Sequence, residues 1–126
     1  MREAPLEWRA GSRRYTLEAE GWRSFQPIRR RAEGDPLIVV VRLHADAPIP
    51  DDVLVQELQL NRGDTSWSPA GAEVRPAEGS NVMEIVVRDG PGAWVPGDAV
   101  DVVVRVSDGG ASSLVRAPRF VIARVE

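Results

Sequence analysis

From Val100 to Val106 the chain places an apolar residue at every second position. Val100, Val102, Val104 and Val106 share one side of an extended backbone; Asp101, Val103, Arg105 and Ser107 share the other. A period of two is what a pleated strand needs when one face meets a core and the other meets water. Pro96-Gly97 turns the chain into this strand and Asp108-Gly109-Gly110 turns it out. The same rhythm recurs upstream. Leu37, Val39, Val41 and Leu43 alternate with Ile38, Val40, Arg42 and His44, and Met83, Ile85 and Val87 form an inward row between Asn81 and Arg88. Tyr15, Leu17 and Ala19 alternate with Thr16, Glu18 and Glu20, a strand that Gly21 is expected to break. Trp22 to Ile28 then reads as an edge segment ending near Pro27, and Arg29 to Pro36 as a polar turn.

Shorter segments complete the pattern. Leu6 and Trp8 open a short strand, and Thr65-Ser66-Trp67 and Ala72 to Arg75 form two more. Val53 to Asn61 is ambiguous: Leu54 and Leu58 fit a helical spacing behind a cap at Asp51 or Asp52, whereas Leu54, Gln56, Leu58 and Leu60 fit a strand. Strand is preferred because every neighbour is β and local signals should agree with the whole. Leu114 to Val125 closes the chain, with Pro118 marking an edge or a bulge. Turn signals at regular intervals between about 7–9 short strands predict an all-β sandwich or barrel. Residues 1–126 form one domain, with 1–12 as a flexible lead-in.

The corner at Trp94, Pro96-Gly97, the valine strand, the Asp108-Gly109-Gly110 turn and the closing strand resemble the immunoglobulin-like and fibronectin type III-like sandwich. The resemblance implies an antiparallel β-sandwich and no particular function, because that architecture hosts many roles. Two departures stand out. Val100 or Val102 occupies the region where such domains often carry a corner tyrosine, and the absence of cysteine excludes an antibody-type disulfide.

Composition narrows the chemistry. The 126 residues contain no Cys, so thiolate nucleophiles, disulfides and thiolate zinc sites are out of reach. All 16 cations are Arg, which removes Schiff bases and lysine general bases and fits a GC-rich, bacterial genome. The one His, His44, cannot build a multi-histidine metal site. A net charge of −3 argues against general nucleic-acid binding, which needs a basic field. No apolar run approaches a membrane helix, and Met1 to Pro5 carries no apolar signal region. An extracytoplasmic place in the cell envelope is favoured over the cytoplasm, any leader or anchor preceding Met1.

Several residues are candidates for chemistry. The four Trp are many for a chain with one Tyr and two Phe. Trp94 is expected in the core under the corner. Trp67, between Ser66 and Ser68, is the best candidate for an exposed ring that stacks a sugar or anchors a protein. Trp22 and Phe25, three apart, point to opposite faces of a strand. Arg29, Arg30 and Arg31, with Arg13 and Arg14, form a basic patch that guards an edge or binds a partner. Arg62-Gly63-Asp64 spells an adhesion tripeptide where a turn would favour Gly-Asp for backbone reasons. Asp64-Thr65-Ser66 is one letter from an aspartic-protease signature but lacks its Gly. His44 is expected to bond backbone at a strand end, and Asp89 and Asp98 are calcium candidates should they meet at one pole.

These readings converge on a non-catalytic binding or structural module of a bacterial envelope, acting through an exposed sheet face or a loop pole, without a cofactor. Its partner is a protein or a glycan, and a homodimer through edge strands is a further possibility. A carbohydrate-binding module built on the Trp residues is the alternative, and a hydrolase using only carboxylates is the second.

Overall fold

The alternating rows fold as strands, and the strands stack in two layers. The computed structural model describes residues 4–24 and 36–125. Among these residues there are eleven strands and no helix: β1 (Glu7–Ala10), β2 (Arg13–Ser24), β3 (Ile38–Ala45), β4 (Leu54–Arg62), β5 (Thr65–Trp67), β6 (Glu73–Arg75), β7 (Val82–Val87), β8 (Ala99–Asp108), β9 (Ala111–Arg116), β10 (Phe120–Val121) and β11 (Ala123–Val125). That exceeds the expected number chiefly because the closing stretch, read as one segment, divides in three. One sheet runs β1-β2-β3-β7-β6, with β11 also on β2; the other runs β10-β8-β4-β5, with β9 also on β8. All pairings are antiparallel except β11 on β2.

The core lies between the layers. Leu37, Val39, Val41 and Leu43 meet Val100, Val102, Val104 and Val106 across it, and each of the eight is fully enclosed. Burying each such side chain contributes on the order of 1.5–3 kcal/mol, so these two rows hold the layers together. β8 is apolar beyond its inward row. Val103 points the opposite way yet is fully buried, flanked in register by Gln59 and Arg116, whose long side chains stand on the same face. Asp101, also on that face, is buried and receives two hydrogen bonds from Arg119 at 3.0 and 3.1 Å.

Three expectations need correction. Gly21 does not break its strand: β2 continues to Ser24, and Trp22, Arg23 and Ser24 pair with β11 on one side while Trp22 pairs with Ile38 on the other. Glycine is there for space, since a Cβ would lie 2.8 Å from the Phe120 ring and 3.2 Å from the Ile38 carbonyl oxygen. For the same reason Trp22 to Ser24 is no edge; Phe25 lies outside the described residues. β4 is a strand, but its simple alternation fails at a bulge between Val55 and Glu57. The extra residue switches phase, so Val55 opposite Val106 and then Leu58 and Leu60 opposite Val104 and Val102 all face inward, while Leu54 is left exposed. Pro118 does interrupt the closing stretch, which follows β8 as β9, resumes as β10 and crosses to β2 as β11.

A polar pin joins the layers. Tyr15 on β2 donates a hydrogen bond to Asp108 on β8 at 2.8 Å, and Arg13 donates to the same carboxylate oxygen at 2.7 Å. Trp8 on β1 stacks on the Tyr15 ring at 5.6 Å, so the N-terminal strand is tied in as well. Burial, reinforced by the Asp108 hydrogen bond, pushes the phenol up to about 12 from 10.0. A phenol that holds its proton more tightly when folded stabilises the fold fully below pH 10.0, and that contribution fades as pH rises toward 12.

Two measurements check this account. Gly21→Ala should lower stability by about 1–3 kcal/mol in thermal or urea unfolding, whereas Gly71→Ala, with open space around it, should stay within about 0.5 kcal/mol of the parent. Between pH 10 and 12 the parent should lose stability in a component that Tyr15→Phe lacks, measured as the urea midpoint at each pH.

Candidate binding surface

A two-residue turn begins the site. Arg62 and Thr65 close the β4–β5 hairpin, with Gly63 at a φ of +56°, the position of a type II′ turn that glycine fills without penalty. The turn carries β5 back along β4 so that Trp67 lies opposite Leu60. Trp67 is not the exposed ring expected of it: it shares the face of the fully buried Leu60 and packs partly buried against the core. It meets the fully buried Trp94 edge-on, with centroids 6.0 Å apart and planes at 86°, leaving only part of the ring open to water. Edge-to-face contact suits the ring quadrupoles and gives Trp67 a rigid support.

Arg62 clasps that support. Its Nη1 donates to the Ala93 carbonyl at 2.6 Å and to Asp98 Oδ2 at 3.1 Å, and its guanidinium lies 5.9 Å from the centre of the Trp94 ring. The same Asp98 oxygen accepts the Val95 N–H at 2.9 Å, closing the 95–98 corner. The Val95 N–H foremost, then the Arg62 guanidinium, hold the Asp98 carboxyl below its ordinary value of 3.8. A shallow groove of about 370 Å³ opens beside Trp67, lined also by Pro69, Ala70, Gly71, Val87, Arg88 and Asp89.

The other candidates scatter. Trp22 lies on the outer face of the β1-β2-β3-β7-β6 sheet, lining a second groove of about 230 Å³ with Glu20, Ile38, Val40 and Arg42. Arg88 borders both grooves, so the two Trp residues flank one arginine. Arg29, Arg30 and Arg31 fall outside the described residues. Gly63 and Asp64 occupy the hairpin tip, but Arg62 is turned back into the clasp, so adhesion through the tripeptide would require breaking it. Asp98 is engaged by Arg62 and Val95, while Asp89 borders the Trp67 groove; no group of three acidic or histidine side chains able to hold a metal ion occurs among the described residues.

His44 departs from expectation. Its Nε2 lies 3.2 Å from Glu18 Oε1 across the sheet, so its partner is a carboxylate rather than backbone. Asp46 is engaged elsewhere, accepting the Arg14 N–H at 2.9 Å. Arg42 sits among Glu18, Glu20 and Glu84 at 3.2–3.6 Å, a mixed-charge ladder on the exposed face of the sheet.

Sequence reading missed the clasp. Arg62 and Asp98 are 36 positions apart, and no local pattern links them. The available signal was a charged residue beside each of two turns next to tryptophan.

No protein-family model matches the chain, and a search of curated proteins finds no similar one.

Loss of the clasp should show directly. Asp98→Asn should destabilise the fold by about 1 kcal/mol and change tryptophan emission as Trp94 loosens. Because the folded carboxyl is held low, its contribution is complete above about pH 4 and disappears as pH falls through the folded value. An acid titration of stability should therefore lose this component in the variant.

Proposed function

We propose that this chain is a non-catalytic binding module with an immunoglobulin-like sandwich, and that the groove beside Trp67 is its working surface. The observation that carries the reading is the partly exposed edge of the Trp67 ring, braced by Trp94 and the Arg62–Asp98 clasp. A side chain packed in this way loses little freedom on binding, and preorganised aromatics are the usual anchors of interfaces. Arg88 and Asp89 at the rim add one charge of each sign, suited to a partner with polar groups around an apolar centre. The paired strands and the corner at Pro96-Gly97 support the finer fold name. Arginine-only cations support a bacterial source and, with the sandwich architecture, the envelope placement.

The placement of titratable groups supports the absence of catalysis. His44 is engaged by Glu18 on the outer face, Asp98 is engaged by Arg62, and Tyr15 keeps its proton to about pH 12. None of these three is presented to the Trp67 groove, where Asp89 is the one carboxylate among the described lining residues, so the paired carboxylates of a hydrolase are not brought together there.

A protein is the first choice of partner. A glycan is the second reading, favoured by one observation: an aromatic ring bordered by Arg88 and Asp89 in an open groove offers both stacking and charged hydrogen bonds to hydroxyl groups. Tryptophan fluorescence distinguishes the two. Titration with a panel of soluble oligosaccharides should leave emission unchanged if the partner is a protein. Trp67→Ala loses packing on Trp94 and is checked for folding by circular dichroism; the folded variant should lose at least tenfold in affinity for whichever partner binds, and unchanged affinity would move the working surface elsewhere.

A further inference from the structure

Among the described residues, the sandwich is one strand short at one corner. β4 pairs with β8 from Leu54 to Asn61, but β5 covers only Leu60, Asn61 and Arg62 on the other side. The cause is chemical. In a two-residue hairpin closed by Arg62 and Thr65, alternate pairs exchange hydrogen bonds: 62 with 65, 60 with 67, and next 58 with 69. Residue 69 is proline, with no N–H to give, and β5 ends before it. By the same alternation the Leu58 N–H and C=O point along the sheet toward the vacant position.

The opposite layer has the matching gap. Val74 on β6 lies beside Ile85, whose side chain is in the core, so Val74 also faces inward. Yet Val74 is 45% exposed whereas Ile85 is fully buried. An inward-facing aliphatic remains open to water only where the facing sheet offers nothing to cover it. Two grooves occupy that space and share Gln56, Glu57, Leu58 and Pro69: one of about 330 Å³, the other of about 180 Å³ running inward to Val74 and Ile85. Among the described residues, their one charged lining side chain, Glu57, is paired with Arg105 at 3.4 Å.

We propose that this edge receives an extended, uncharged peptide segment of a partner protein, added as a strand alongside β4 over Leu54–Leu58. The Leu58 backbone supplies hydrogen bonds, and an apolar side chain at alternate positions of the segment enters the groove over Val74 and Ile85. The preference for an uncharged segment follows from a lining whose only charge is already matched. The span suits about five residues. This is strand addition, in which backbone bonds provide affinity and alternate side chains provide selectivity. It goes beyond the Trp67 reading and does not need it.

The test uses the whole chain and a synthetic peptide, Ser-Val-Thr-Val-Thr-Val-Ser, with a second peptide carrying Glu in place of each Val. Amide hydrogen exchange followed by NMR should show Leu58 protected at least tenfold by the first peptide and not by the second. Val74→Arg, at an exposed position and checked for folding by circular dichroism, should abolish that protection. Trp67→Ala should retain it, which separates this surface from the groove beside Trp67. Three results would overturn the proposal: no protection with the apolar peptide, equal protection with the charged one, or protection that survives Val74→Arg. Leu58 protection that rises with protein concentration alone would also overturn it, assigning the edge to a second copy of the chain.

Discussion

Two rows of branched side chains, one from β3 and one from β8, interlock across the space between the sheets, and the rest of the molecule is placed by that contact. β-branched residues suit it because their χ1 is already stiff, so little side-chain freedom is lost on packing. Once β3 and β8 face each other, β2 and β7 must flank β3 and β4 must flank β8 to satisfy their backbone groups. β4 then has to reconcile its own pattern with an inward face already set by Val102, Val104 and Val106. The bulge at Gln56 does this, placing Val55, Leu58 and Leu60 inward on either side of one unpaired residue.

Polar groups close the ends that the apolar rows cannot. Arg23, buried on β2, donates to the carbonyls of Gly92 and Trp94 at 3.1 and 3.0 Å and so fastens the loop between β7 and β8. At the other end Tyr15 and Arg13 reach Asp108. Both contacts join β2 to the chain that carries β8. Each places an arginine within hydrogen-bond reach of an oxygen acceptor, as a buried cation requires. The exposed ladder around Arg42 differs in kind. Its pairs lie in water, and such pairs contribute about 0–1 kcal/mol each.

The layers were legible in the sequence because burial on one face writes itself as a period of two. The rows of β3, β7 and β8 could be read directly for that reason, and the corner at Pro96-Gly97 could be read from turn chemistry. What escaped was whatever depends on a distant partner. Gly21 looks like a breaker because the Phe120 ring that fills its space is 99 positions away (120 − 21). The bulge in β4 is visible only against the register of β8. Trp94 could be assigned to the core from the corner beside it, whereas Trp67, expected on the surface from its serine neighbours, shares the inward face of Leu60 and is partly buried against the core; the Arg62–Asp98 clasp joins two turns that the sequence separates. Val103 sits on the polar side of its strand, and its burial reflects the long side chains beside it, which a residue pattern does not register.

An open strand edge with apolar surface behind it is a hazard as well as an opportunity, since it invites pairing with any extended chain. The arrangement at β4 limits that hazard in three ways. The bulge at Gln56 interrupts the row of backbone groups, Pro69 stands beside the edge without a donor, and Glu57 keeps a charge at its rim. What remains is a stretch of about five residues. An edge that short cannot grow into an extended sheet, because too few backbone bonds form to offset the ordering of an arbitrary chain. It can still hold a segment whose side chains also fill the space over Val74 and Ile85. Selectivity at this corner thus comes from the same bulge that lets β4 serve the core.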